Sequence, residues 1–247
     1  MRSSRNAAMF ISLMAVSGFT VLVKGAIGMH PMHHFLFLSL LALALLTSRW
    51  KVRLPGLTGN MSVNVPFLFL AIVQLSLFEA AVIAFASTLV QSLPQRGKPL
   101  KVVQVLFNAS TVTTAAGFAY LVLRNPASRP GSNGSLPLAL AAGTFFLVNT
   151  LPVATIIALT EGAKFIRTWS SILHLSFPYY VAGTGITSLI TGKGGHIGWA
   201  LPLATLPVML GIYRSYRIYF GEAALAGSTG PNAPFTAVEK SRAVGAS

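Results

Sequence analysis

The chain has 247 residues, of which 53% are hydrophobic and only 9% are charged. Soluble domains usually carry about 25% charged residues, so this composition is typical of a protein whose apolar surface faces lipid. The sequence contains no Cys and no Asp. These absences exclude disulfide scaffolds, thiolate metal sites, Cys nucleophiles and paired-aspartate magnesium sites. The composition predicts an integral membrane protein. We expect no enzyme, because the sequence also lacks the acid, base and metal constellations of catalytic sites.

The sequence contains 18 Lys and Arg residues and only four acidic residues, which gives a formal net charge of +14. Surfaces that bind nucleic acid gather their cations on one face or in one run. Here the cations occur in twos and threes between apolar stretches. That spacing is typical of the cytoplasmic ends of membrane spans. We therefore expect the lipid bilayer, and not nucleic acid, as the partner.

Eight apolar stretches follow one another along the chain. They are Ala7–Val23, Met32–Thr47, Val63–Leu77, Phe78–Leu93, Val102–Leu123, Leu136–Thr160, Ser170–Ile190 and Trp199–Tyr213. Several are near or below the ~20 residues that cross a bilayer without tilt. The sequence predicts an all-α fold, a polytopic transmembrane bundle of about eight helices, some of them short.

Residues 63–93 can be interpreted as one long helix or as two short helices folded at Ser76–Glu79. Two helices place both termini in the cytoplasm, and only four cations then lie outside. These are Lys24, Arg124, Arg129 and Lys193. One long helix would place every later loop on the opposite side of the membrane, and the excess of cations on the cytoplasmic side would disappear. We therefore predict two helices, although the fold point contains no Gly or Pro.

The first apolar stretch has a second interpretation. Arg2 and Arg5 precede it, and Ala15-Val16-Ser17 resembles a cleavage site. These features are also typical of a removable signal peptide. That interpretation leaves seven spans and does not change the sides of the later loops.

The connections differ in character. Residues 48–62 are rich in turn formers and predict an irregular connection, whereas Glu161–Trp169 has the charges and indole of an interfacial helix. Residues 221–247 are small, polar and contain Pro and Gly, which predicts a disordered cytoplasmic tail. The domain organisation is therefore one transmembrane domain over residues 1–220, followed by this tail.

Polar side chains within the predicted spans are the candidate ligand-binding residues, because polar groups in lipid cost free energy. Asn149 is the clearest case, near the centre of its span and followed by Thr150. The other candidates are Asn108, Gln74, His174 and Glu79. Two interpretations are open for these residues. The sequence favours hydrogen bonds between helices, and the alternative is a polar pocket that binds a small neutral ligand.

Glu79 and Glu161, which lies at a span boundary, are the carboxylates of the apolar stretches. A transporter coupled to protons or cations usually needs a buried acid. Glu79 falls at the predicted outer turn, where water would reach it. The sequence therefore favours a solvated turn residue over a group that couples ions.

The densest cluster of metal-ligand types lies on a predicted outer loop, where His30, His33 and His34 lie next to Met29 and Met32 in the sequence. Imidazole and thioether donors suit copper, and three His also suit zinc. Contiguous side chains rarely all face one ion, and no Cys or Asp completes the set. We expect interfacial side chains near lipid headgroups at this loop, and no cofactor.

Several short motifs occur in a recognisable order. A basic segment, Trp50–Pro55, precedes a Gly/Ser connection and two short apolar segments. Leu106–Asn108, Phe146–Thr150 and the Tyr/Arg-rich Tyr213–Tyr219 follow. This order resembles the N-terminal multi-span membrane module of bacterial signalling proteins, over roughly residues 35–220. In that family the module often precedes an HD-GYP phosphodiesterase or a GGDEF cyclase domain.

The resemblance implies a sensor in the inner (cytoplasmic) membrane that passes a signal to a cytoplasmic output domain. Residues from Glu222 onward carry no charged coiled-coil connector and no catalytic motif. We therefore expect a stand-alone sensor or regulatory module that acts through a separate signalling partner. The short helices are also similar to the substrate-binding components of vitamin uptake systems. A small-molecule transporter, or the binding component of one with an energising partner, stays open as the alternative.

Overall fold

The computed structural model describes residues 2–28, 34–53, 60–62, 64–93, 101–126 and 135–191, together with residues 207, 210–211 and 214–215. Seven helices lie in the ranges up to residue 191. They are α1 Arg2–Ile27, α2 His34–Ser48, α3 Val65–Gln74, α4 Leu77–Ser92, α5 Val102–Arg124, α6 Ser135–Glu161 and α7 Phe165–Thr191. Two strands, β1 Lys51–Arg53 and β2 Asn60–Ser62, lie between α2 and α3.

The predicted all-helical membrane bundle is confirmed. Within the described ranges, three helices are long and apolar enough to cross a membrane: Arg5–Ile27, Val102–Arg124 and Leu136–Glu161. The helices α2, α3 and α4 are apolar but shorter. The eighth apolar stretch falls almost wholly outside the described residues, as does the predicted tail. The boundary at residue 220 therefore stays a prediction.

The segment 63–93 forms two antiparallel helices. Its helices α3 and α4 are separated at Leu75 and Ser76, and Asn64 Nδ2 donates a hydrogen bond to Ser87 Oγ at 3.2 Å. Asn64 and Ser87 lie on opposite sides of the break and about equally far from it along the chain. Because these two residues are in contact, the two helices run side by side in opposite directions. The two-helix interpretation is confirmed. At about 15 Å, α3 is far shorter than the ~30 Å hydrocarbon core.

A capping box explains why α4 begins where it does. Ser76 Oγ accepts a hydrogen bond from Glu79 N at 3.3 Å, and Glu79 Oε2 accepts one from Ser76 N at 2.9 Å. Each side chain thereby satisfies a backbone N–H group that the first turn of a helix leaves unpaired. The fold point therefore needs no Gly or Pro.

Two predicted connections differ from the structure. Within 48–62, Lys51–Arg53 pairs antiparallel with Asn60–Ser62, so part of the predicted irregular segment is a short hairpin that pairs its backbone groups. The predicted interfacial helix was also wrong as a separate element. Gly162, with φ of 68°, ends α6 in the left-handed region, and α7 then runs without a break from Phe165.

The first helix packs closely against α5. A Cβ atom at Gly18 would lie 2.8 Å from Ser110 Cα, and one at Gly117 would lie 2.7 Å from Val21 Cγ1. Glycine allows two helix backbones to approach this closely, which is how membrane helices gain packing contacts. These contacts favour a span within the bundle over a removable signal peptide.

The centre of the bundle is α3, whose residues from Val65 to Ile72 are all buried. It contacts α2, α4, α5 and α7. A helix that is hydrophobic on every side needs such an all-round environment. The short α3 is thus a core element enclosed by α2, α4, α5 and α7.

Three segments predicted to share one side of the membrane do lie at one end of the bundle. A Cβ at Gly25, next to Lys24, would lie 2.9 Å from Phe78 at the α3–α4 turn. Arg124 Nη2, at the end of α5, donates to Val73 O near the end of α3 at 3.1 Å. The arrangement agrees with the predicted alternation of loops, and which side this end faces stays a prediction.

Candidate ligand site between α6 and α7

Both α6 and α7 contain a proline in their interior, Pro152 and Pro178. Proline has no N–H group, so each leaves the carbonyl four residues earlier without its helical partner. The two prolines lie beside the polar contacts that join these helices. The hairpin of α6 and α7 therefore has a weakened hydrogen-bond ladder at the point where its two helices are linked.

Two side-chain hydrogen bonds join α6 to α7. Asn149 Nδ2 donates to Tyr180 Oη at 2.7 Å, and Trp169 Nε1 donates to Thr150 Oγ1 at 3.3 Å. Asn149 is half-buried, whereas Tyr180 is only 7% exposed. In lipid such contacts are worth roughly 0.6–2 kcal/mol each. Each bond therefore contributes modestly to holding α6 and α7 together.

Tyr180 also belongs to an aromatic cluster that joins α3, α6 and α7. Its ring centroid lies 5.0 Å from that of Phe146, 6.0 Å from Phe145 and 6.4 Å from Phe69. The neighbouring Tyr179 Oη accepts a hydrogen bond from Val65 N, the first residue of α3, at 3.1 Å. The middle of α7 is therefore tied both to the core helix and to α6.

A groove of about 400 Å³ runs between the same two helices. The residues that line it are Leu138, Ala139, Ala142, Gly143 and Phe146 of α6, and Phe177, Tyr180, Val181, Thr184, Gly185 and Ser188 of α7. No atom lies within 4 Å of where a Cβ at Gly143 or Gly185 would be. The groove has the size of a small-ligand site and an almost wholly apolar lining.

The structure places the six candidate ligand-binding residues in different parts of the bundle. Asn149 and Thr150 lie at the α6–α7 junction, and His174 is exposed on α7, where its Nδ1 lies 2.8 Å from Ser170 O. Asn108 on α5 and Gln74 at the end of α3 are half-buried. Neither of these two amide side chains bonds to another residue in the described part of the chain.

The predicted exposure of Glu79 was wrong. The sequence favoured a solvated turn residue, but the side chain is only 2% exposed. The carboxylate turns back onto Ser76 to complete the cap, and this contact draws it into the bundle. Among the described residues, its Oε1 and the hydroxyl of Thr111 are the buried side-chain oxygens without a hydrogen-bond partner.

The predicted metal ligands His30 and His33 lie outside the described residues, and His34 is the first residue of α2. Across the ranges that the structure describes, no three His or Glu side chains group around a possible ion position. The expectation of interfacial side chains at this loop therefore stays a prediction, with the metal site as its alternative.

The sequence analysis missed two side-chain contacts, the capping box of Ser76 and Glu79 and the bond of Trp169 to Thr150. A sequence pattern could have revealed the first of them. The spacing Ser76-Leu77-Phe78-Glu79 is the S-x-x-E pattern of a capping box, which marks the start of a helix before an apolar run. The sequence predicted a membrane anchor at Trp169, whereas the structure shows a bond to Thr150. This bond depends on how α6 and α7 pack, so no local sequence pattern predicts it.

Residues 10–191 match the model of the MASE9 family, a family of membrane-associated sensor domains. The match covers all seven helices of the described ranges except the first turns of α1. The chain belongs to the MASE9 family. No curated protein and no solved structure matches it. The MASE9 match confirms the sensor part of the resemblance seen in the sequence.

Proposed function

We propose that this MASE9 chain is a non-enzymatic membrane sensor that binds a small ligand against the α6–α7 junction. The observation that carries the proposal is the hydrogen bond between Asn149 and Tyr180, which lies beside a groove and between two proline-containing helices. A ligand in this groove contacts the ring of Tyr180, and Tyr180 is already linked to the core helix through its neighbour.

A sensor needs an element with two arrangements whose equilibrium the ligand changes. The α6–α7 hairpin has the features of such an element. Its ladders are interrupted at Pro152 and Pro178, and it is closed by two weak side-chain bonds. A shift of α7 also moves the contact between Tyr179 and the start of α3. Ligand binding at the groove is thereby coupled to the centre of the bundle.

We infer that the sensor passes its signal to a cytoplasmic signalling protein, of the cyclic-dinucleotide phosphodiesterase or cyclase class that the resemblance implies. We also propose a location in the inner membrane. Family membership favours this interpretation over the alternative of an uptake component, because MASE9 domains are membrane-associated sensors.

The test compares three variants in cells. Asn149→Leu and Tyr180→Phe each remove one side of the same hydrogen bond and are expected to abolish the change in cellular cyclic-dinucleotide level caused by the wild-type chain. Thr155→Val is the matched control, because the hydroxyl of Thr155 donates to Leu151 O of its own helix and, within the described residues, to no other group. The membrane abundance of each variant is measured in parallel.

The control is expected to behave as the wild type. If both junction variants are present at wild-type abundance and still support the wild-type nucleotide level, the junction does not carry the signal. If deletion of the whole chain leaves that level unchanged and instead lowers uptake of a nutrient, the sensor proposal is replaced by the transport alternative.

A further inference from the structure

The turn between α3 and α4 contains a buried carboxyl oxygen that no described residue pairs. Glu79 is 2% exposed, and its Oε2 accepts hydrogen bonds from Ser76 N at 2.9 Å and from Ser76 Oγ at 2.7 Å. Its Oε1 accepts none from any residue that the structure describes. A buried polar atom without a partner costs free energy and needs an explanation. The cap of α4 explains Oε2 and leaves Oε1 unexplained.

The charged and titratable groups of the neighbouring helices do not neutralise this carboxyl group. The helix α4 packs chiefly against α1, α2, α3 and α5, and α3 has no titratable residue. Arg124 of α5 reaches the turn, but it donates to Val73 O, and its guanidinium carbon lies 5.2 Å from the centre of the Tyr120 ring. Lys24 near the end of α1 and His34 at the start of α2 are exposed. None of these groups donates a hydrogen bond to the unpaired oxygen.

The two helix ends that meet at the turn have opposite effects on a negative charge. The first turn of α4 carries partial positive charge and favours an anion, whereas the last turn of α3 carries partial negative charge and opposes it. The two ends are separated only by Leu75 and Ser76, so their effects largely offset each other. Burial of a charge without a partner costs far more free energy than burial of the neutral acid.

The same turn also has unpaired acceptors. The last four carbonyls of a helix lack helical partners. In α3, the carbonyls of Ala71 and Val73 are paired, whereas those of Ile72 and Gln74 accept no hydrogen bond from the described residues. An ionised carboxylate only accepts hydrogen bonds, whereas a carboxylic acid has one O–H donor. A proton on Glu79 therefore supplies a donor at a turn that has an excess of acceptors.

We propose that Glu79 is a proton-binding site, with the proton on Oε1 while the bundle is packed. A hard metal ion requires about six oxygen ligands, and no three His or Glu side chains gather around one point in the described ranges. A proton needs only the one unpaired oxygen. The site is separate from the groove between α6 and α7. Because the turn continues directly into the buried helix α3, proton binding here is coupled to the packing of the core.

Infrared spectroscopy tests the proposal, and no reagent has to enter the bundle. The C=O stretching band of a protonated carboxyl group is absent from a carboxylate and shifts in D2O. The acidic residues of the chain are Glu79, Glu161, Glu222 and Glu239, so the band can be assigned by substitution. We expect the purified wild-type chain, in a detergent without ester groups at neutral pH, to show this band. We expect Glu79→Gln to lose the whole band.

The matched control replaces the other three Glu residues by Gln and leaves Glu79 as the one acidic side chain. It is expected to keep the whole band. Gln also serves at the third helical position of a capping box, so Glu79→Gln is expected to keep the cap of α4. Far-UV circular dichroism verifies that both variants are folded. The control assigns the band even if Glu79→Gln does not fold.

Three results would overturn the proposal. Absence of the band from the wild-type chain at neutral pH means that Glu79 is ionised. Loss of the band from the folded control assigns the proton to another carboxyl group. Loss of the wild-type band when sodium chloride replaces choline chloride at constant pH assigns the site to a metal cation. None of these results bears on the α6–α7 junction, which is tested by the nucleotide level in cells.

Discussion

The close contact between α1 and α5 makes a quantitative prediction at Gly18. A methyl group there would lie 2.8 Å from Ser110 Cα and 2.9 Å from both Ser110 Cβ and O. Two of these three atoms are backbone, so no side-chain rotation relieves the overlap and the helices must move apart. Overpacking of this kind costs about 1–3 kcal/mol.

The matched control is Gly143→Ala, because a Cβ at Gly143 has no atom within 4 Å. Both substitutions replace a helical glycine by alanine and gain about the same helix propensity, close to 1 kcal/mol. This gain cancels when the two variants are compared. We expect the free energy of unfolding of Gly18→Ala to lie about 1–3 kcal/mol below that of Gly143→Ala.

The assay is reversible unfolding of the detergent-solubilised protein by denaturant, followed by far-UV circular dichroism. A double variant, Gly18→Ala with Ser110→Gly, removes one of the three contact atoms and is expected to recover part of the loss. Equal unfolding free energies for the two alanine variants would refute the reasoning, because α1 and α5 would then not be in backbone contact at Gly18.

Four further predictions concern the caps, the core contact and the topology. Ser76→Ala removes the N-cap of α4 and is expected to lower the free energy of unfolding by about 1 kcal/mol in the same denaturant assay. Gly162→Ala places a side chain at a positive φ, and a loss of about 1–2 kcal/mol is expected; no loss would mean that the end of α6 adopts another backbone conformation. Tyr179→Phe leaves the first N–H of α3 without its acceptor, at a cost of about 1–3 kcal/mol, and a neutral effect by thermal unfolding would contradict that contact. In this Cys-free chain, Gly97→Cys is expected to react with impermeant maleimide only from the cytoplasm and Lys24→Cys only from outside; the reverse pattern would invert the topology.

Composition and the apolar stretches determined the membrane class and most of the helices. An apolar stretch in lipid must pair its backbone groups within itself, so each of the seven stretches that the structure describes, up to residue 190, forms a helix with ends close to those predicted. The predicted stretch Leu136–Thr160 corresponds to α6, Ser135–Glu161, and Val102–Leu123 to α5, Val102–Arg124. Charge bias alone was sufficient to divide residues 63–93 into two helices.

Burial and side-chain pairing were decided by the tertiary structure. The sequence indicated the polar character of Asn149, but not its partner Tyr180, because the two residues are 31 positions apart and meet only when α6 and α7 fold against each other. Glu79 was expected in water, yet its bond to Ser76 and the packing of neighbouring helices bury it.

The sequence by itself thus determined that this protein lies in a membrane, that it is helical and where its helices run, since these properties follow from local hydrophobicity and charge. Only the tertiary structure decided which polar residues meet and where a groove opens. Those properties depend on the crossing of helices far apart in the chain, where small residues such as Gly18 permit contact and others such as Gly143 leave space.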